Sequence, residues 1–393
     1  MARIVCPYCF EPARTRDLPF RCLQSTTGGR AGTVCRSVPD EPLSAFLGRD
    51  SQRPVLKGPV FTPRGSAPRA SCPDCGVPSS KRLCPECHND LPGGYSNSRI
   101  IALVGPKSSG KSTYTTVLVR ELRGRVGAQF GAAVNVMDDR TESRRAEQER
   151  RIYEQGVLPE TTRPGALDIH PLLYRFTVPR RRRFRRLRKV SSSLVFFDTA
   201  GEDLQSEEST ARHVPYLVQA DGIILLVDPL QHAEVADLVD GHLRPGRAHG
   251  TEASRMVEIV AQQIREARGV PAHKPIRTPL AVVLTKSDVL DPLLDFHSPL
   301  RQSPVRAGHL EAADLRDVDA VSRALLTGWD SGVLERQVDV DFADSAYFSL
   351  SALGGEPEGP GRVPRGGVQP VRVEDPVLWL LSRFGLVPVK GGT

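Results

Sequence analysis

The stretch that most restricts the fold is residues 100–122, where IIALV runs into GPKSSGKS and then into TYTTVLVREL. Five apolar residues, a glycine-rich turn and an amphipathic run predict strand, loop and helix in immediate succession. That is the opening of an α/β domain. The turn also matches the spacing G-x-x-x-x-G-K-S/T, and its chemistry explains the residue types. Gly105 and Gly110 let backbone N–H groups wrap a phosphate chain at the helix N-terminus, Lys111 reaches the β and γ phosphates, and the Ser112 hydroxyl ligates Mg²⁺. Thr113 stands beside them in the first helical turn.

A phosphate loop does not choose its base; the downstream residues do. Residues 194–202 read LVFFDTAGE, a buried strand ending in Asp198 with Gly201 three residues on. In this D-x-x-G arrangement Asp198 holds Mg²⁺ through water and the Gly201 N–H bonds the γ phosphate, so loss of that phosphate releases the segment that follows. Thr285, Lys286, Ser287 and Asp288 follow a second strand, AVVL, at the edge where an open parallel sheet binds ligands. A buried carboxylate at Asp288 accepts from guanine N1–H and the N2 amine, whereas adenine leaves it unpaired. Ser351 and Ala352 follow the strand AYFSL and offer a backbone N–H to guanine O6. Further strands are expected at 222–227 and 346–350, with helices near 206–219, 251–268 and 310–327. The last helix should start with Asp375 as N-cap and Pro376 in its first turn, and end at Gly385.

Eight cysteines occupy the first 87 residues, six of them in Cys-x-x-Cys pairs, a usage that predicts zinc thiolates in a reducing compartment rather than disulfides. Cys72, Cys75, Cys84 and Cys87 put two knuckles in one short hairpin, a zinc ribbon over 71–94. Cys6, Cys9, Cys22 and Cys35 make a second set within a module of residues 1–50. Ligand sharing between the two modules stays open, and His88 beside Cys87 is either a substitute ligand or a solvated neighbour. Residues 51–70, rich in Pro, Gly and Arg, read as a linker, and residues 97–393 as the nucleotide-binding domain.

The nucleotide motifs, in this order and each after a strand, resemble the TRAFAC-class GTPases, the group that includes Ras-like and translation-factor GTPases and dynamins. The resemblance covers about residues 99–385 and implies a P-loop NTPase fold, a Ras-like mixed sheet flanked by helices, in which the strand before Asp198 pairs antiparallel to one near 169–178. It implies a Mg²⁺-dependent enzyme hydrolysing GTP to GDP and phosphate, as a switch or remodelling factor on a protein partner. With the cysteine modules and the closing VEDPVLWLLSRFG, the whole is similar to bacterial, notably actinobacterial, double-GTPase-type proteins of conflict or defence systems. Two rival roles stand beside it: a nucleic-acid-associated GTPase, and a GTP-binding scaffold without significant turnover.

Departures from the family pattern sharpen these expectations. The base-reading motif opens with Thr285 instead of Asn, a variant Rho-like GTPases tolerate. Glu202 stands where Ras-like proteins carry the Gln that orients attacking water, which predicts slow unaided hydrolysis. Ser108 matches the cation-linked Ser of dynamin-like loops, but Lys107 replaces their Gln. For the switch I threonine the chain offers Thr141, Thr161 and Thr162, of which Thr161 or Thr162 in LPETTRP, in a loop just before the next strand, is the better candidate, so Lys111, Glu202, Thr161 and Thr162 form the candidate catalytic set.

The formal charge of +7 is local. Residues 180–189 (RRRRFRRLRK) carry eight positive charges, and removing them takes the balance to −1. This segment is expected at the tip of a hairpin, where it can meet nucleic acid or another polyanion. Residues 140–155 read as a mostly charged helix whose core contacts are Ala146, Ile152 and Tyr153. No apolar run reaches the roughly 18 residues of a membrane span, so a cytoplasmic protein is expected.

Overall fold

Ile100, Ile101, Ala102, Leu103 and Val104 are all buried. A strand with no polar face is stable only where both sides of its sheet are covered. The computed structural model describes residues 3–24, 35–50, 52–63, 67–106, 108–159, 171–181, 187–198, 215–232, 235, 252–330 and 332–391. The chain forms two units, Met1–Ser98 with Ser191–Val195, and Arg99–Val190 with Phe196–Thr393.

The larger unit is organised on seven strands: β1 (Ser98–Val104), β2 (Ala133–Val136), β3 (Leu172–Arg181), β4 (Leu187–Asp198), β5 (Gly222–Val227), β6 (Leu280–Leu284) and β7 (Ser345–Ser349). Their order in the sheet is β2-β3-β4-β1-β5-β6-β7. β5 pairs parallel to both β1 and β6, and β6 pairs parallel to β7. β2 pairs antiparallel to β3. β3 and β4 are neighbours with only residues 182–186 between them, too few for the crossover that parallel strands need, so they form the expected antiparallel hairpin. The result is the mixed sheet of a P-loop GTPase. β1, β5, β6 and β7 end side by side at residues 104, 227, 284 and 349, and the next residues of each form the ligand edge of an open α/β sheet.

Helices α1 (Lys111–Arg123), α2 (Arg125–Phe130), α3 (Asp139–Glu149), α4 (Glu252–Arg268), α5 (Ala312–Asp330), α6 (Val333–Asp341) and α7 (Asp375–Arg383) accompany the sheet. The charged stretch at 140–155 is α3 followed by a π turn over Arg150–Glu154. Most of it is exposed or half-buried, as its composition suggests, and Ala146, expected in the core, is exposed. Ile152 is buried as expected, and so is Thr141, whose hydroxyl accepts from Leu173 N–H at 3.1 Å. The Arg120 guanidinium lies 3.9 Å from the Tyr153 ring centre. Strand β2 carried no sequence expectation; four residues are too few for a periodic signal. The helix expected over 206–219 falls largely outside the described residues.

Asp375 does not cap the last helix. Glu374 holds the N-cap position, and the buried Asp375 accepts from Arg306 at 2.5 Å and from Arg372 at 2.7 Å. Arg306 also reaches Glu374 at 2.8 Å, and Arg125 reaches the other Glu374 oxygen at 2.9 Å. Burial explains the change: at 1% exposure a carboxylate needs cations rather than a helix end. Gly385, in left-handed backbone, closes α7 as expected.

Over residues 3–90 each described strand has two or three residues. Arg3–Val5 pairs with Pro12–Arg14, Phe20–Arg21 with Val60–Phe61, Val38–Pro39 with Leu56–Lys57, and Ala70–Ser71 with Pro78–Ser79. The expected linker is therefore wrong. Residues 56–57 and 60–61 are strand partners of the cysteine-rich segments before them, and a Pro/Gly/Arg composition conceals this because the pairings are only two residues long. The division into separate modules at 1–50 and 71–94 is corrected with it. Among the described residues, no helix is long and apolar enough to cross a membrane.

Candidate functional site

β1 delivers the chain into the loop 105–112. Gly105 has no room for a side chain, since a Cβ there would lie 2.8 Å from Ser109 Oγ and 2.9 Å from the Leu226 carbonyl. Ser108 and Gly110 take left-handed backbone at φ 66° and 85°, the kind of local strain that turns successive N–H groups toward an anion. Lys111 is nearly buried, and its ammonium donates to the carbonyls of Gly105 (2.7 Å) and Pro106 (2.8 Å). Thr115 and Thr116 hydroxyls donate to the carbonyls of Lys111 and Ser112, at 2.9 and 2.8 Å. This ties down the first turn of α1 that carries Ser112 and Thr113. A glycine cradle with a lysine across it and a hydroxyl at the helix start fits a phosphate chain with its Mg²⁺.

The ends of β6 and β7 form a second group. Thr285 N–H and hydroxyl both donate to Val227 O, at 2.9 and 3.2 Å, and Ser287 N–H donates to Leu350 O at 3.0 Å. Between them Lys286 is left-handed at φ 52°, and its ammonium meets Asp228 Oδ2 at 2.5 Å. Asp288 accepts from the Ser351 hydroxyl at 2.5 Å, and that hydroxyl accepts from Gly354 N–H at 2.8 Å. Burial raises the Asp288 pKa above the ordinary carboxylate value, opposed by the Ser351 hydrogen bond. Gly354 is obligatory: its φ is 77° and a Cβ would sit 1.8 Å from the Gln369 carbonyl. The Ser351 N–H, one of the donors expected for guanine O6, is engaged with Val371 O at 3.0 Å, which shifts that expectation to Ala352.

Asp198 ends β4 as expected. Lys107, Thr161, Thr162, Gly201 and Glu202 lie outside the described residues. Sequence reasoning missed Asp228. It follows the apolar run GIILLV as Asp198 follows LVFF, so a polar residue at every strand end was the signal.

The cysteines regroup. Cys6, Cys9, Cys84 and Cys87 form one tetrad, and Cys22, Cys35, Cys72 and Cys75 the other, with ligand atoms within 4.8 Å of one another. The expected sets 6-9-22-35 and 72-75-84-87 are corrected: each site takes one pair from either side of residues 51–70, the sharing that spacing alone left open. Sγ–Sγ separations are 3.8 Å (Cys6–Cys87), 3.6 Å (Cys9–Cys84), 3.5 Å (Cys22–Cys75) and 3.7 Å (Cys35–Cys72). Tetrahedral zinc with Zn–S of about 2.3 Å requires sulfurs about 3.8 Å apart, and a disulfide about 2.05 Å, so both tetrads fit zinc.

Three knuckles share one backbone turn. The carbonyls of Cys6, Cys72 and Cys84 accept from the N–H of Phe10, Gly76 and His88, and their own N–H groups donate to Glu11, Val77 and Asn89. Phe10, Gly76 and His88 all take positive φ, at 61°, 72° and 52°. His88 is thus a turn residue rather than a ligand, and its Nδ1 lies 2.8 Å from Asp40 Oδ1. Arg21, beside Cys22, binds Asp40 Oδ2 at 2.8 Å and the His88 carbonyl at 3.0 Å, linking the surroundings of the two tetrads.

A family model described as Double-GTPase 2 matches residues 99–351. The chain is 28% identical over 417 aligned residues to a Mycolicibacterium smegmatis protein described as a putative ESX-1 scaffolding and assembly protein, covering 97% of this chain and 99% of that one. Among solved structures, the Arl6 small GTPase of Trypanosoma brucei with a bound nucleotide analogue shares 14% identity over 73% of this chain and 98% of its own, at a TM-score of 0.30. The GTP-bound Ski7 GTPase-like domain of S. cerevisiae shares 13% over 76% and 52%, at 0.34. Similarity of that degree carries no weight, and the fold rests on the order and direction of the seven strands.

Proposed function

The chain belongs to the Double-GTPase 2 family, and from that premise we propose that it is a Mg²⁺-dependent GTPase that uses GTP to switch or remodel a protein partner. The observation that carries the guanine reading is the pair at the ends of β6 and β7. Asp288, held by Ser351, presents a carboxylate to N1–H and N2, and Ala352 supplies the N–H for O6. At the end of β1, Gly105, Ser108, Gly110, Lys111, Ser112 and Thr113 hold the phosphates. Ser112 and Asp198 would hold Mg²⁺, Gly201 would meet the γ phosphate, and Thr161 or Thr162 would serve as the further ligand. An ion held there would supply neutralisation of the charge that develops on the phosphates.

Hydrolysis is slow without a partner, because a carboxylate at Glu202 lacks the amide that orients water. The alignment with an assembly protein over nearly the whole length of both chains supports a role directed at other proteins. Two tetrads of free thiols suited to zinc favour a reducing, cytoplasmic setting for that role.

The test is nucleotide competition followed by turnover. GTP outcompetes ATP, and Lys111→Ala, Ser112→Ala and Asp198→Ala each abolish hydrolysis that proceeds unaided near the Ras-like order of 10⁻⁴ per second. Equal affinity for ATP and GTP ends the guanine reading. Unaided turnover at tens per second ends the role given to Glu202.

A further inference from the structure

Asp228 follows directly on β5, the strand that separates β1 with its phosphate loop from β6 with its base-reading turn. It is 2% exposed, and one of its carboxylate oxygens is already committed. Oδ1 accepts the Leu230 N–H at 3.1 Å and caps the short 3₁₀ turn over Pro229–Gln231. The other oxygen, Oδ2, faces Lys286 at 2.5 Å.

Lys286 is fixed from three sides. Its preceding residue is pinned to Val227 O, the following residue to Leu350 O, and its own backbone is left-handed, which turns the side chain along the sheet edge toward β5. A free lysine on a turn has a four-carbon stem with many rotamers, and ordering it on ligand binding costs conformational entropy. A salt bridge to a buried carboxylate removes that cost beforehand. The stem of a lysine held at both ends is a flat apolar strip, and Lys286 lies two residues from Asp288, the residue that reads the base.

We propose that Asp228 is a positioning residue for the base pocket: it clamps the Lys286 ammonium so that the lysine stem is pre-set as one wall for the guanine ring. This rests on the guanine reading of Asp288 and adds to it a residue outside the four nucleotide motifs. The clamp acts on the base end only. Asp228 should therefore tune affinity for GTP and GDP alike and leave phosphate binding unchanged.

The experiment uses the full chain with Asp228→Asn, Lys286→Met and the double variant. Asparagine keeps an acceptor for the Leu230 N–H while removing the charge, so the 3₁₀ cap survives. GTP and GDP affinities are measured by titration, with inorganic tripolyphosphate as a competitor that has no base. Asp228→Asn is expected to weaken GTP and GDP each about tenfold, the scale of one charge-assisted hydrogen bond, with tripolyphosphate unaltered. Lys286→Met should do the same, and the double variant should be no weaker than Lys286→Met alone, because both changes break one device.

Unaltered GTP affinity in Asp228→Asn overturns the inference, as do additive losses in the double variant or an equal loss of tripolyphosphate binding. A wild type that binds ATP as tightly as GTP overturns the guanine reading and this inference with it. A guanine-selective wild type with an indifferent Asp228→Asn overturns this inference alone.

Discussion

Residues 99–393 and residues 1–98 meet the entropy of folding by opposite means. In the sheet unit, β5 and β6 are buried along their whole lengths, six and five residues of nearly unbroken aliphatic chain. Over residues 3–90 the described strands are two or three residues long, and the apolar cluster around Phe20 and Phe61 is completed by Cys22, Cys35 and Cys72, with Ala70 and Cys75 packed against it. Beside a few buried side chains such as Ile4, Leu18, Leu83 and Leu91, six of the eight ligand cysteines are buried, so this small interior is completed only by the ions. Metal affinity and folding are then one quantity, on the order of 10 to 16 kcal/mol per structural zinc in peptide models.

The largest effect that tests this contrast is zinc removal. Elemental analysis should find about two zinc ions per chain, and a chelator with a thiol reagent should unfold the N-terminal unit in a single transition releasing both. Each tetrad draws ligands from both sides of residues 51–70, and Arg21 and Asp40 tie their surroundings together, so neither site persists as an independent module. Proteolysis of the stripped protein should cut within residues 1–98 and spare the sheet unit. Two separate release steps would break the comparison, because they would make each tetrad a self-sufficient ribbon.

Next in size is Asp288→Asn, which reaches only the sheet unit. GTP affinity should fall on the order of 10⁴-fold, the scale of leaving a built hydrogen-bonding site unpaired. Xanthosine triphosphate, whose O2 accepts from the new amide, should gain. The same carboxylate predicts a pH dependence. Guanine binding needs Asp288 ionised, and burial raises its pKa, so GTP affinity should decline on acidification starting above the range of an ordinary aspartate near 3.9. A profile flat down to the ordinary range would remove that role for burial.

Third is Arg306→Met. The guanidinium is 4% exposed on its side chain and compensates Glu374 and Asp375, themselves at 0% and 1%. Removing one partner of a buried pair typically costs about 3 to 5 kcal/mol. Urea denaturation should show a loss of that size in the sheet unit, with zinc content unchanged. A loss under about 1 kcal/mol would mean that Arg125 and Arg372 suffice without it.

These contrasts also explain what could be read from the sequence. The phosphate loop, the strand ends at Asp198 and Thr285, and the helices at 252–268 and 312–330 are local patterns, each set by residues within about twenty positions of one another. Spacing sees such features. The zinc pairing is not local: Cys6 meets Cys87 and Cys22 meets Cys75, and eight thiols of one chemistry offer no spacing rule that prefers these partners. Asp375 was misread for a related reason. A cap is judged from its neighbours in sequence, whereas Arg306, one of its two partners beside Arg372, lies 69 residues away.

The smallest effect concerns residues 180–189. β3 runs to Arg181 and β4 starts at Leu187, so the basic run does span the connection of the hairpin, although residues 182–186 themselves lie outside the described set. Eight like charges in ten residues repel one another, and an anionic surface would relieve that repulsion. Neither Asp288 nor the loop at 105–112 touches the run in sequence, and the strand leading away from it ends at Asp198 only after nine further residues. Changing its arginines to glutamine should therefore lower the salt concentration that elutes the protein from heparin or RNA and leave GTP affinity unchanged. Elution at an unaltered salt concentration would reduce the segment to a solvated charged tip. A loss of GTP affinity together with retention would show instead that the hairpin communicates with the strand end at Asp198, so that polyanion binding and nucleotide binding in the sheet unit would be coupled rather than independent.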